Sequence, residues 1–344
     1  MFDFEAAVQA PFRMQPGLRR LAPAAPHLTP LAPGSRHQRE KLAVLSAYWP
    51  QALLRRPDFD AEPALDALSA HAAAEQPQAW RHAAGRVEAP LLGTAVEAGE
   101  VHQTAPGRFG LGDEVARCLH GLPPAWRRTA LLSLAFAEDF ALVDAAPGAG
   151  AGSVPWLAVA LPSHWAPERV LGLHFAQIHA AVPETALLQR AGQALVGLVA
   201  GAGRCERFVW NVTDQPRLHA HPERTERERW CATPVERAWL RHERQTFIAL
   251  PALRQALFTI RVGVSPLADI VSTPERAARL HAAVTSMSPQ VLAYRGLVPV
   301  RDALLEWLAR RAAHATGTAG ATGATGATEA TPPAAPAAGA VPEA

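Results

Sequence analysis

Apolar residues in the first part of this chain recur every three or four positions, which is the spacing of amphipathic helices. The segments with this spacing are 39–54, 63–74, 112–119 and 124–135, and the proline at position 124 suits the first turn of the last one. Residues 1–40 instead carry many prolines and no regular period. The pattern therefore predicts an irregular N-terminal arm over residues 1–40 and a helical N-terminal region over residues 41–136.

Short apolar runs bounded by turn residues follow, and they predict β-strands. The runs are 138–144, 154–161, 205–212, 235–250 and 255–264. A glycine-rich loop over residues 147–152 joins the first two runs. Helical patterns over residues 167–178 and 184–199 separate the second run from the third.

The order of two strands, helices and three strands matches a PAS-like domain, in which a five-stranded antiparallel sheet and its central helices enclose one ligand. The predicted fold is therefore α+β. It has a PAS-like core over residues 137–270, flanked by the N-terminal helices and by C-terminal helices over residues 271–313. Residues 314–344 are rich in Ala, Gly, Thr and Pro, and we expect this tail to be disordered because it offers too little apolar surface to offset the entropy of ordering.

Composition and charge argue against several classes of protein. The formal net charge is only +2, and basic residues alternate with acidic ones, which argues against a nucleic-acid-binding surface. The cysteines Cys118, Cys205 and Cys231 are too widely spaced for a disulfide framework, a structural zinc site or an iron–sulfur cluster. The sequence shows neither the pattern of a secretory signal nor an apolar run long enough to cross a membrane, so we expect a cytoplasmic protein.

Charged residues within a predicted hairpin are the most informative local feature. Glu243, Arg244, Gln245 and Arg261 fall inside the last two strands, where side chains should be half buried. A buried guanidinium is costly unless an anion meets it, and that anion is either Glu243 or a ligand. A turn centred near Leu253 would put Gln245 opposite Arg261, with Glu243 on the face of Arg261 and Arg244 on the other face. A one-residue slip of this register would reverse the faces.

The hairpin belongs to a longer pattern, which reads Arg241-x-Glu243-Arg244-Gln245-Thr246, Leu250-Pro251, Leu257-Phe258-x-Ile260-Arg261 and Pro266-Leu267. This pattern resembles the signature of the α subunits of heme-dependent oxidative N-demethylases. Further pieces of the family pattern occur in the same order: Pro11-Phe12-Arg13-Met14-x-x-Gly17-Leu18, Glu138-Asp139-Phe140-Ala141-Leu142, Pro162-Ser163-x-Trp165-x-Pro167-Glu168 and Ile178-His179-Ala180-x-Val182-Pro183. The resemblance is specific because several motifs are collinear over about residues 10–310.

The resemblance implies a heme b cofactor. It implies that His179 supplies the axial imidazole to the iron, because this histidine falls on a family motif, with His242 as the reserve candidate. Arg244 and Arg261 would then hold the heme propionates beside Glu243, since an arginine fork binds carboxylates with paired hydrogen bonds.

The resemblance also implies a reaction. Heme would activate O2 and oxidise an N-methyl group of a small secondary amine, such as a dimethylamine-like compound, to give formaldehyde and the shorter amine. Gln245, Thr246 and Trp210 are candidates to line the substrate pocket. Because the chain has no cysteine set for an iron–sulfur cluster, a reductase partner carrying flavin and iron–sulfur centres is implied as the electron donor.

Three positions depart from the family pattern. His164 stands where glycine is usual, Ala181 where proline is usual, and Val209 where an asparagine is expected before Trp210. The loss of the asparagine bears on the substrate pocket more than on heme binding. The alternative to an enzyme is a non-catalytic PAS-like sensor or binding protein for heme or a small ligand.

Overall fold

The computed structural model describes residues 2–83, 85–145, 152–184, 186–201, 203–226, 229–231 and 233–313, without the side chains of residues 187–189. The predicted tail over residues 314–344 and all but the last residue of the glycine-rich loop over residues 147–152 lie outside these ranges. Among the described residues, no helix combines the length and the apolar character needed to cross a membrane.

The N-terminal region contains helices and a small sheet. The helices are α1 (Phe4–Ala7), α2 (Arg36–Ala52), α3 (Glu62–Glu75), α4 (Glu114–His120) and α5 (Pro124–Ala135). The strands are β1 (Arg19–Arg20), β2 (Leu53–Arg55), β3 (Arg81–Ala83), β4 (Arg86–Ala89), β5 (Thr94–Glu97) and β6 (Glu100–Gln103). The helical periodicity located α2 to α5 correctly. It did not predict the four-stranded sheet of β3 to β6, because strands of three or four residues are too short to show a period.

The second half contains the main sheet and the C-terminal helices. Its strands are β7 (Asp139–Asp144), β8 (Ser153–Ala158), β9 (Cys205–Thr213), β10 (Trp239–Leu250) and β11 (Gln255–Pro266), which correspond to the five predicted runs. Its helices are α6 (Phe175–Ile178), α7 (Ala186–Ala200), α8 (Leu267–Ile270), α9 (Pro274–Thr285), α10 (Pro289–Tyr294) and α11 (Arg301–Ala313).

The helix predicted over residues 167–178 is wrong for most of its length. The structure has a 3-10 turn over Pro167–Arg169 and then only the single turn of α6. Gly172 has a φ of 78°, which a right-handed helix does not allow. Its N–H donates to the carbonyl of Val154 at 2.8 Å, so this segment hydrogen-bonds to β8 instead of to itself.

The main sheet has seven antiparallel strands in the order β1-β9-β10-β11-β7-β8-β2. The α+β class is therefore confirmed, whereas the predicted count of five strands is wrong for the sheet as a whole. The five predicted strands are contiguous, and the N-terminal region adds β1 at one edge and β2 at the other.

The predicted register of the β10–β11 hairpin is wrong by one residue. Arg244 lies opposite Arg261, and Gln245 lies opposite Ile260. The connection is a 3-10 turn over Pro251–Leu253 followed by Arg254 with a φ of 53°, so Leu250 and Gln255 close the hairpin. Because side chains alternate across a sheet, the one-residue slip moves Arg261 to the face of Arg244 and away from that of Glu243.

The two faces of the sheet have different coverings. The arm face is covered by the N-terminal arm: Phe2 stacks on His242, and Arg244 donates to the carbonyl of Pro26. It carries Glu206, Phe208, Trp210, His242, Arg244, Thr246, Thr259 and Arg261. The α7 face is covered by α6 and α7, with Ile178 packed in a cluster that includes Ala141 and Phe258. It carries Arg207, Val209, Glu243, Gln245, Phe258, Ile260 and Val262.

Candidate functional site

Three polar side chains of neighbouring strands meet on the α7 face. Gln245 on β10 lies directly opposite Arg207 on β9. Glu243 lies two residues before Gln245 on the same strand and is therefore diagonal to Arg207. The amide Nε2 of Gln245 donates to Oε2 of Glu243 at 2.5 Å. Glu243 is buried, and the strand positions opposite it are Val209 and Val262. Burial lowers the pKa of two neighbouring arginines, Arg207 and Arg241, and the charge of Glu243 acts to raise it. A buried carboxylate held by one amide is a site for a cation or for a proton.

Arg207 is the cation of this group. Its Nε is buried without a hydrogen-bond partner, and within the described ranges its guanidinium forms no ion pair. Burial lowers the pKa of Arg207, and the charge of Glu243 acts in the opposite direction. Arg207 as a whole is half-buried, and a guanidinium that is partly withdrawn from water without a contacting carboxylate is costly for the fold unless an anion binds to it. Arg207 is therefore the strongest anion-binding candidate on the α7 face.

His179 ends α6 beside this group. Its Nδ1 lies 2.8 Å from the carbonyl oxygen of Phe175, and the two rings are in contact with centroids 4.2 Å apart. Phe175 in turn packs on Gly192 of α7, where a Cβ atom would come within 2.9 Å of the Phe175 ring. Helix α7 therefore fixes Phe175, and Phe175 fixes the imidazole.

The protonation of His179 follows from these surroundings. Burial lowers the pKa of His179, the carbonyl of Phe175 raises it, and the charge of Arg207 lowers it. The imidazole is thus neutral near pH 7. A neutral ring that donates from Nδ1 to a backbone carbonyl keeps the lone pair on Nε2, which is the arrangement of a metal-binding histidine.

Arg244 and Arg261 do not lie with His179, because both are on the arm face. The Nε of Arg244 donates to Oε2 of Glu206 at 2.9 Å, and Nη1 donates to the carbonyl of Pro26 at 2.9 Å. Arg261 donates to Oγ1 of Thr29 at 3.2 Å. Both arginines therefore bind protein groups that hold the N-terminal arm on the sheet.

Thr246 and Trp210 are also on the arm face. The hydroxyl groups of Thr246 and Thr259 are 2.6 Å apart in the buried sheet. Trp210 donates from Nε1 to the carbonyl of Ala7 at 2.9 Å and packs edge-on against Phe12. Of the three residues predicted to line the substrate pocket, the structure brings only Gln245 to the face of His179.

His242, the reserve candidate for the axial ligand, is enclosed on the arm face. Its ring stacks on Phe2 with centroids 4.4 Å apart, and it lies so close to Gly263 that any side chain there would collide with it. Burial lowers the pKa of His242 to about 4. The structure therefore separates His242 from Arg207, Glu243 and His179.

Two of the departures from the family pattern now have a structural setting. His164 has a φ of 63°, a left-handed conformation that glycine adopts without strain. Val209 lies opposite Glu243 on the α7 face, so an asparagine there would face the carboxylate. With valine at that position, Gln245 is the residue that hydrogen-bonds to Glu243.

Sequence reasoning missed Arg207. The signal was present, because Arg207 stands in the predicted strand over residues 205–212 at an even spacing from Val209 and Asn211. Charged residues that indicate a site occur in the neighbouring strand as well as in the hairpin, and Arg207 is a cation without an ion pair in the part of the chain that the structure describes.

The chain was compared with sequence models of known families. A family described as “Haem-dependent oxidative N-demethylase, alpha subunit-like” matches residues 124–305, which is more than half of the chain. The matched segment begins at α5 and includes the whole of β7 to β11. It therefore contains His179, Arg207, Glu243 and Gln245.

Proposed function

The chain belongs to the family of heme-dependent oxidative N-demethylase alpha subunit-like proteins, and from this premise we propose that it demethylates a small secondary amine at a bound heme. The substrate class is dimethylamine-like, and the products are formaldehyde and the shorter amine. The family description, alpha subunit-like, implies a multi-subunit enzyme. The observation that carries the proposal is the grouping of His179, Arg207 and Glu243 on the α7 face.

The contiguous order of the five central strands supports a PAS-like core. The two strands before the central helices, β7 and β8, lie on one side of β11, and the strands after them, β9 and β10, lie on the other. Helices α6 and α7 cover one face of these strands. We propose that heme lies between this face and the two helices.

The residues on this face fit a heme b group in two respects. The iron needs an axial base, and His179 offers a neutral Nε2 with its other nitrogen held by Phe175. The propionates need a cation, and Arg207 is a half-buried arginine whose guanidinium lacks an ion-pair partner among the described residues. Arg207 thus takes the propionate-binding role that the resemblance implies for Arg244 and Arg261.

Glu243 suits the amine. A small secondary amine is protonated near pH 7, and a buried carboxylate both binds an ammonium group and can accept its proton. Gln245 holds Oε2 of Glu243, which leaves Oε1 to face the substrate. In the proposed site Glu243 binds and deprotonates the amine, while the apolar neighbours Val209 and Val262 exclude water.

When bound, heme supplies the activation of O2 and the oxidation of the methyl group. For each dimethylamine, one O2, two protons and two electrons give methylamine, formaldehyde and water. The electrons need a donor, and we propose a reductase subunit with flavin and iron–sulfur centres as the physiological partner. A chemical reductant replaces this partner in the test.

The test uses the full chain reconstituted with heme. A Soret band at about one heme per chain is expected, followed by formaldehyde release when the heme-loaded protein receives O2, dimethylamine and an excess of a chemical reductant, which supplies the two electrons of each turnover. Trimethylamine and methylamine serve as comparison substrates. A folded chain that takes up no heme would overturn the proposal, and a heme-loaded chain that releases no formaldehyde would favour the sensor alternative.

A further inference from the structure

Two histidines and a carboxylate converge away from the proposed heme site. Nδ1 of His27 lies 3.2 Å from Oε1 of Glu75, and Nε2 of His71 lies 3.5 Å from the same oxygen. One nitrogen of each histidine and one oxygen of Glu75 all lie within 4.8 Å of one another. His71 and Glu75 are one turn apart on α3, whereas His27 comes from the N-terminal arm.

These separations match a tetrahedral metal site. Zn²⁺ binds histidine nitrogen and carboxylate oxygen at about 2.0–2.2 Å, so two ligand atoms at a tetrahedral angle are roughly 3.3–3.5 Å apart. The two nitrogen–oxygen distances of the cluster are 3.2 and 3.5 Å. An ion therefore requires only small movements of the three side chains.

The carboxylate is already oriented by the backbone. Oε1 of Glu75 accepts from the N–H of His27 at 2.9 Å, and Oε2 accepts from the N–H of Leu28 at 2.8 Å. These contacts are the outer-shell hydrogen bonds that fix a ligating carboxylate. Nε2 of His71, the nitrogen that lies 3.5 Å from Oε1, is buried without a hydrogen-bond partner among the described residues. His71 thus has unused binding capacity beside a fixed anion.

We propose that His27, His71 and Glu75 bind one divalent transition-metal ion, for which Zn²⁺ is the best match, with water as the fourth ligand. The water has access because the side chains of His71 and Glu75 are 25% and 15% exposed. The ion joins the arm to α3 at a point next to Pro26, whose carbonyl accepts from Arg244 on the sheet. Its role is structural, and it is independent of heme.

The test uses the full chain after dialysis against a chelator. Zn²⁺ titration by calorimetry should show one site per chain, and the thermal midpoint should rise on saturation. His71→Gln removes one ligand from a partly exposed position, and Glu75→Gln removes the charge. Each should weaken Zn²⁺ binding by at least tenfold, which is also the lower limit for the loss of an outer-shell partner.

His102→Gln is the matched control, because His102 is an exposed histidine of β6 remote in sequence from the cluster. It should leave both the affinity and the thermal shift unchanged. The circular dichroism spectrum of His71→Gln is compared with that of the parent chain, so that loss of folding is not mistaken for loss of a metal-binding side chain. Unchanged Zn²⁺ affinity in folded His71→Gln, or the absence of a one-to-one site in the parent chain, would overturn the proposal.

Discussion

Arg244 lies directly opposite Arg261 across the β10–β11 hairpin, so both guanidinium groups leave the sheet on the arm face. Arg244 binds Glu206 and the carbonyl of Pro26, and Arg261 binds Thr29. Two like charges in a directly opposed pair require such partners. The hairpin arginines therefore fasten the N-terminal arm to the sheet, and the residues of the proposed heme site come from the opposite face.

The first prediction concerns Arg244. Arg244→Ala should lower the free energy of unfolding by about 2 kcal/mol, because it removes charge-assisted hydrogen bonds from a nearly buried position. Glu206 keeps Arg19 as a second partner, which limits the loss. Heme affinity of the folded variant should stay unchanged. Denaturant unfolding measures the free energy of unfolding, and heme titration measures the affinity. A loss of heme affinity without a loss of stability would show that Arg244 binds the cofactor.

The second prediction concerns Arg207, which should behave in the opposite way. Arg207→Met removes a half-buried guanidinium that lacks an ion pair in the described part of the chain, so the heme-free protein should keep or gain stability. Heme retention should fall by about 1.5–3 kcal/mol, the scale of a charge-assisted hydrogen bond. Transfer of heme to apomyoglobin measures retention. Equal retention in Arg207→Met and the parent chain would contradict the propionate assignment.

The third prediction concerns the axial ligand. His179→Ala should abolish or shift the ferric and ferrous heme spectra, and added imidazole should partly restore them because it can occupy the place of the missing ring. His242→Ala is the control, since His242 lies on the arm face between Phe2 and Gly263. A spectrum that changes in His242→Ala and not in His179→Ala would assign the axial ligand to His242 instead of His179.

The fourth prediction concerns acid stability. Burial lowers the pKa of His242 to about 4, whereas an unfolded histidine titrates near 6.5. Between these values the unfolded chain binds the proton and the folded chain does not, so stability falls as the pH falls, by up to about 1.4 kcal/mol for each pH unit. His242→Leu should reduce this slope by the contribution of one bound proton, which is up to about 1.4 kcal/mol for each pH unit. Unfolding curves of the parent chain and of His242→Leu from pH 7 to 4 measure the slope.

The strands of the main sheet could be predicted because their apolar runs are long and bounded by turn residues. The apolar run over residues 255–264, for example, predicts a strand, and these residues form most of β11. The edge strands β1 and β2 could not be predicted from the sequence, since they are only two and three residues long. They form by pairing, β1 with β9 and β2 with β8. Their formation depends on tertiary contact, which no local pattern records.

The placement of the candidate residues could be predicted only in part for a related reason. The motif identified Glu243 and Gln245, and His179 through a neighbouring segment, all of which lie on or beside the α7 face. The register of the hairpin depends on the conformation of a four-residue connection, including the left-handed Arg254. Sequence alone does not fix that conformation, and a slip of one residue reassigns every side chain of β11 to the other face.

The last prediction separates the two faces with a matched pair of carboxylates. Glu243 and Glu206 are each 8% exposed, but Glu243 lies on the α7 face, while Glu206 binds Arg244 and Arg19 on the arm face. In the heme-loaded chain, Glu243→Gln should weaken dimethylamine binding by about 1.5–3 kcal/mol, because the ammonium group loses its charged acceptor. Heme content should stay near that of the parent chain.

Glu206→Gln should give the reverse result, a lower free energy of unfolding with unchanged amine affinity, because its ion pairs hold the arm and do not reach the substrate. Calorimetric titration with dimethylamine and denaturant unfolding of both variants make the comparison. If the two variants lose amine affinity equally, the effect arises from general loosening of the sheet, and Glu243 has no particular role in binding the amine. If only Glu243→Gln loses it, the carboxylate on the α7 face is the substrate's partner.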